Sequence, residues 1–216
     1  MKKLLLSIAL GTGVSAAWAN TPLWMRDARI SPDGKEIVFC YKGDIYKVNA
    51  NGGKAIQLTT QDSYESTPIW SPDGKQIAFA SDRRGSLDVF IMNSDGGEAK
   101  RLTTLSSSEI PSAFTPDGKY VLFSSAIQDP AESALFPSGV MTELYKVPVS
   151  GGRIEQILAT PAEMVAYSDK GDFFLYQDRK GFEDEWRKHH TSSVTRDIWR
   201  YDIESGKHTN LTNHAG

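Results

Sequence analysis

The stretch IWSPDGKQIAFASD, residues 69–82, sets an apolar run on either side of a four-residue turn. Near copies are RISPDGKEIVFCYK at 29–42 and AFTPDGKYVLFSSA at 113–126, and a degenerate turn, Ser168-Asp169-Lys170-Gly171, precedes the apolar run DFFLYQ. After each turn and its apolar run comes an acidic residue opening a β-rich segment: Asp44 in DIYKVN, Asp88 in DVFIMN, Glu143 in ELYKVP and Asp197 in DIWRYD. A glycine turn follows at Gly52-Gly53, Gly96-Gly97, Gly151-Gly152 and Gly206, and each unit closes on a leucine, Leu58, Leu102, Leu158 or Leu211. Self-similarity at this period is the mark of a repeat architecture.

Turn chemistry explains the residues that recur. Proline presets φ at the first central position, Asp bonds the backbone just ahead, and Gly accepts positive φ. The paired glycines suit a second hairpin turn. Each unit therefore reads as a four-stranded antiparallel meander. Its second strand, as in Ile77-Ala78-Phe79-Ala80, is apolar on both faces, so both faces are covered. Sheets stacked about an axis satisfy that demand in a β-propeller. The expected fold is all-β, with about four blades near 24–60, 66–104, 111–158 and 164–212. After Leu211-Thr212 only four residues remain. The reading is the leading, incomplete part of a longer propeller.

Residues 1–19 have the form of a signal peptide: Lys2-Lys3, an apolar run from Leu4 to Leu10 too short to span a bilayer, and Ala17-Trp18-Ala19. Cleavage after Ala19, export to the periplasm and no stable membrane anchor are expected. The net charge of −3 falls to −5 once Lys2 and Lys3 leave, which gives no electrostatic reason to bind nucleic acid. The sole cysteine, Cys40 in EIVFCY, cannot form an internal disulfide and reads as a small buried hydrophobe.

The repeat loosens in one place, between the second and third strands. The span from turn to acidic residue grows from Asp33–Asp44 and Asp73–Asp88 to Asp117–Glu143 and Lys170–Asp197. The two insertions, 126–142 and 180–195, fall on the same connection of adjacent blades and so belong at one rim. They carry Phe136, Met141, Phe182 and Trp186 amid dense charge. This makes the rim a candidate interface, with Trp186 as anchor and Arg187 and His190 as polar neighbours. Adjacent His189 and His190 make a poor chelate and no H-E-x-x-H is present, so no metal or other cofactor is expected. There is no G-x-S-x-G in the mature chain, no P-loop and no serine that the sequence pairs with a base, so no catalytic residue is assigned.

SPDGKxIAF, DIY and GGxxxxLT together resemble the propeller repeat shared by TolB and the tricorn proteases. The run RKHHTSSVTRDIWRYD, 187–202, and the opening PLWMRDARISPDGKEIVFCYKGDIYKV are similar to bacterial tricorn-like serine peptidases. That resemblance covers almost all of 20–216. It implies a parent chain with further blades, a PDZ domain and a C-terminal peptidase domain whose catalytic Ser and His match no position here. The partners it implies are the remaining domains and subunits of a peptidase assembly, and peptides guided by the propeller. Two alternatives stay open: a TolB-like protein-binding propeller of the periplasm, and the propeller of a prolyl-oligopeptidase-like enzyme. TolB-like chains place a separate domain ahead of the propeller, and the first turn here starts at Ser31, close behind the expected cleavage site.

Overall fold

The computed structural model describes residues 24–127, 141–179 and 196–212. These build four antiparallel sheets of four strands each, in strict chain order. The first sheet is β1 (Arg26–Ile30), β2 (Glu36–Tyr41), β3 (Asp44–Asn49) and β4 (Ile56–Gln57). The second is β5 (Glu65–Trp70), β6 (Gln76–Arg84), β7 (Ser86–Asn93) and β8 (Lys100–Arg101). The third is β9 (Glu109–Phe114), β10 (Tyr120–Ser125), β11 (Glu143–Pro148) and β12 (Glu155–Leu158). The fourth is β13 (Glu163–Tyr167), β14 (Phe173–Gln177), β15 (Ile198–Asp202) and β16 (His208–Asn210). Their innermost strands β1, β5, β9 and β13 touch in that order, giving an open arc of propeller blades.

The recurring turn folds as its residues dictate. In the first blade Gly34 N–H donates to the Ser31 carbonyl at 2.9 Å, and Lys35 N–H and the Ser31 hydroxyl both donate to Asp33 Oδ1. The Ser31 hydroxyl oxygen in turn accepts from Glu36 N–H. These bonds, led by the one from Ser31, hold the Asp33 carboxyl down at about 2. The glycines that close the turns have φ of +73°, +70°, +69° and +71° at Gly34, Gly74, Gly118 and Gly171. Successive turns stack on the same rim. The Cβ position of Gly74 faces Pro32 Cδ at 3.8 Å, that of Gly118 faces Pro72 Cδ at 3.8 Å, and that of Gly171 faces Pro116 Cγ at 2.8 Å.

Three apolar clusters fill the seams between blades. Val38, Cys40 and Ile45 meet Ile77, Phe79 and Phe90 in the first. Ala78, Val89 and Ile91 meet Val121, Phe123 and Tyr145 in the second. Leu122 and Leu144 meet Phe174 and Tyr176 in the third. An aromatic pair across the second and third strands recurs at Phe39–Tyr46, Phe79–Phe90 and Phe123–Tyr145, with ring centroids 5.7–6.0 Å apart. Each fully buried phenylalanine contributes about 1.5–3 kcal/mol of burial free energy. The closing leucines Leu58, Leu102 and Leu158 are buried, while Leu211 stays 53% exposed, since no described sheet covers it. Cys40 lies buried, and burial pushes its thiol up to about 12.

Candidate functional site

The four inner strands line an open central cavity of about 1730 Å³. Each breaks register against its neighbour at the same level: between Arg26 and Arg29, between Ser66 and Ile69, at Ser112, and between Glu163 and Ala166. The break is a β-bulge, which bends the strand and re-aims its side chains. In three of the four the bulge opens with a non-glycine residue at positive φ: Asp27 at +52°, Thr67 at +48° and Met164 at +53°. In the third blade Pro111, with its ring-locked φ, cannot adopt that conformation, and Ser112 is the extra residue. Asp27, Thr67, Ser112 and Met164 all line the cavity, and Met164 is 71% exposed. Thr67 N–H donates to Asp27 Oδ2 at 3.1 Å, tying the first two bulges together. Backbone strain of this kind persists only where the surroundings enforce it, and it gathers at working surfaces.

Polar pairs brace the seams behind these strands. The residue after the closing leucine stitches outer strand to third strand: Ile45 N–H donates to Thr59 Oγ1, Val89 N–H to Thr103 Oγ1 and Ile198 N–H to Thr212 Oγ1. In the third blade Ala159 stands there instead. The acidic residue at or near the start of each third strand takes a local donor: Thr59 for Asp44, Arg101 for Asp88, Gln156 for Glu143 and Thr212 for Asp197. Across the seam stands a glutamate that begins the next inner strand, Glu65, Glu109 or Glu163. Glu65 is wholly buried and accepts from Arg83, Ser63 and Ser81. Its charge, after burial, helps raise the Asp44 carboxyl above its ordinary value.

Glu163 joins the stems of both insertions. Thr142, at the end of the first insertion, donates to its Oε1 at 2.7 Å. Arg179 and Arg196, on either side of the second, reach it at 2.8 and 2.9 Å. Burial pushes the Glu163 carboxyl up, but the bonds from Thr142 and Arg179 and the two guanidinium charges outweigh it and hold the group below its usual range. The stems of the two insertions therefore meet at one rim of the cavity. Of the proposed interface residues, Met141 is 36% exposed at that rim. Phe136, Phe182, Trp186, Arg187 and His190 lie outside the described residues.

The cavity holds polar and apolar side chains but no nucleophile–base pair among the described residues. Its serines, Ser31, Ser106 to Ser108, Ser112 and Ser124, have no described histidine beside them. His208, the one described histidine, sits in the fourth sheet with Nδ1 2.8 Å from the Tyr176 hydroxyl. Among the described residues no group of three His, Cys, Asp or Glu could hold a metal ion, and no helix is long and apolar enough to cross a membrane.

Residues 22–216 match the tricorn protease N-terminal beta propeller domain. The chain belongs to that family. Among solved structures, the tricorn protease superposes with a TM-score of 0.69 at 23% identity, covering 90% of this chain and 19% of that one. TolB from Acinetobacter baumannii gives 0.65 at 20% identity, covering 87% of this chain and 43% of that one. An uncharacterized peptidase of Bacillus subtilis, YuxL, is 38% identical over 71 residues, or 31% of this chain and 11% of its own length. The chain thus spans 11–43% of the length of these relatives. The two structures speak for the fold; the peptidase relative matches only part of the propeller.

The buried glutamates and the bulges escaped the sequence reading. A signal for the first existed: Glu65 and Glu109 each stand seven residues past the closing leucines Leu58 and Leu102. The bulges had none, since Asp27, Thr67 and Met164 are ordinary strand-neighbour residues.

Proposed function

We propose that this chain is the propeller segment of an exported tricorn-like serine peptidase. It acts as a scaffold or peptide gate for a catalytic domain outside residues 20–216. The observation that carries this reading is the family match over 22–216. The Lys2-Lys3, Leu4–Leu10, Ala17-x-Ala19 pattern supports export to the periplasm, with N-terminal sequencing of the mature protein expected to begin at Asn20. The convergence of both insertion stems on Glu163 supports the rim as the surface that meets the remaining domains or subunits. Within it, Trp186, Phe136, Met141 and Phe182 are the proposed apolar contacts, with Arg187 and His190 beside them.

The test has two arms. Purified residues 20–216 are assayed on a mixed fluorogenic peptide panel, where no turnover is expected. The reading frame beyond Gly216 is then sequenced. A PDZ and serine-peptidase continuation supports the proposal. A stop after further blades favours a TolB-like binding propeller, and a hydrolase domain with a G-x-S-x-G elbow favours the prolyl-oligopeptidase arrangement; either overturns it.

A further inference from the structure

In the second and fourth blades an arginine at or just past the end of the second strand binds the glutamate that begins the inner strand, and the third blade has no arginine there. In the second blade, Ser81 pairs with Glu65 in register, and Arg83, two residues on, binds the Glu65 carboxylate at 2.8 Å. In the fourth, Gln177 pairs with Glu163, and Arg179, two residues on, binds it at 2.8 Å. In the third, Ser125 pairs with Glu109, but the residue two positions on is Ile127, half-buried against the apolar cluster. Glu109 is wholly buried. Its Oε2 accepts from Thr103 at 2.7 Å, and its Oε1 has no donor.

The group facing it is another carboxylate. Asp88, also wholly buried, lies near the start of β7 across the seam, within hydrogen-bonding reach of Glu109 once one of the two carries a proton. Arg101 from β8 bonds Asp88 Oδ1 at 2.8 Å and lies as near to Oδ2, where the geometry fails to make a hydrogen bond. One guanidinium thus serves two buried carboxylates. The other charged groups on elements packed here are engaged elsewhere. Glu65 and Arg83 of β5 and β6 bind each other, Glu143 of β11 accepts from Tyr145 and Gln156, and Glu163 of β13 is held by Arg179 and Arg196. From β10 the neighbour is Ser125, whose hydroxyl is bonded to Ser107.

We propose that the seam between the second and third blades is a proton-operated latch. Glu109 and Asp88 hold one proton between them while the seam is closed, and loss of that proton loosens the seam. A single guanidinium cannot neutralise two buried carboxylates, so burial favours one proton shared between them. Burial first, and then the Asp88 charge, push the Glu109 carboxyl up to about 8. Ser107 and Ile127 of the same seam line the central cavity, so loosening it changes the cavity wall.

The sign follows from linkage. The closed seam binds the proton more tightly than the opened one, so opening becomes easier as pH rises from 4.5, the ordinary carboxyl value, to about 8, and levels off above. Each pH unit in that window raises the opening equilibrium by up to about tenfold. Hydrogen exchange of the full chain reads this directly, after correction for the intrinsic pH dependence of exchange. Amides of β7 and β9 are expected to lose protection between pH 5 and pH 8 relative to those of β2 and β3. Glu109→Gln, which keeps a donor toward Asp88 at every pH, is expected to remove that slope. Ile127→Arg, which places a guanidinium where the second blade has Arg83, is expected to remove it as well. A flat wild-type profile, or a slope that survives in Glu109→Gln, overturns the latch. Where Glu109→Gln does not fold, a slope surviving in Ile127→Arg overturns it.

Discussion

Alanine at the turn glycines separates backbone strain from contact between blades. Gly34 and Gly171 have nearly the same φ, +73° and +71°, so the intrinsic penalty is common to both. Forcing alanine into the left-handed region costs about 1–2 kcal/mol. Stiffening the unfolded chain returns about 0.4–1 kcal/mol. The common term is therefore a net loss of roughly 1 kcal/mol. What differs is the space. At Gly34 a new Cβ meets nothing within 4 Å, whereas at Gly171 it lands 2.8 Å from Pro116 Cγ and 3.2 Å from Pro116 Cβ. The proline ring belongs to the preceding turn and cannot swing aside, so relief requires the third and fourth blades to shift apart. Overpacking of that kind adds about 1–3 kcal/mol. Gly171→Ala should thus lose about 2–4 kcal/mol and Gly34→Ala about 1. Gly74→Ala, with Pro32 Cδ at an ordinary 3.8 Å, should behave like Gly34→Ala. Urea melts with a common slope give the comparison. Pro116→Ala in the Gly171→Ala background should recover most of the excess. Equal losses at Gly34 and Gly171 would refute the stacking of turns between blades.

Three further outcomes are expected. Glu163→Ala strips the charged partner from Arg179 and Arg196 and should cost about 1.5–3 kcal/mol by urea melt; in the wild type, whose Glu163 carboxyl sits below its ordinary 4.5, that stability is present above pH 4.5 and drains away as pH falls through the folded value. The Cys40 thiol, buried and pushed up to about 12, should resist a thiol reagent at pH 8 until denaturant exposes it, and immediate labelling would contradict its burial. Trp186→Ala in the full-length protein should weaken assembly or peptidase activity by more than its effect on the melting midpoint, and a change in the midpoint alone would return Trp186 to its own blade.

The blades were legible because their punctuation is chemical. Ser-Pro-Asp-Gly has few conformations open to it, and the bonds at Ser31, Asp33 and Gly34 are the ones those side chains are built to make. The apolar second strands announced two buried faces, and Ala78 and Phe79 do point into different seams. Other features depend on what lies across a seam, which a linear reading does not see. Glu109 and Glu163 are both glutamates at the head of an inner strand, yet one carboxyl is raised and the other lowered, because Glu109 is buried beside the Asp88 charge while Glu163 is bonded by Thr142 and Arg179 and faces the charges of Arg179 and Arg196. The bulges recur at one level of each inner strand although neither Thr67 nor Met164 favours positive φ, and only Asp27 is of a type that does.

The stacked turns also bear on how such a chain can change over generations. In an antiparallel meander the first and third connections leave from one end of a blade and the second from the other. On the first end, proline and glycine of neighbouring blades touch, so an inserted residue there would wedge the blades apart. At the opposite end the described contact is that of Gly43, whose Cβ position faces Ser63 and Tyr64 at an ordinary 3.6 Å, and that end is where the connection grows from Lys42-Gly43 to the spans 126–142 and 178–197. Mutation can lengthen one rim freely while the other stays frozen, so new binding specificities in this lineage should be written on a single side of the disc.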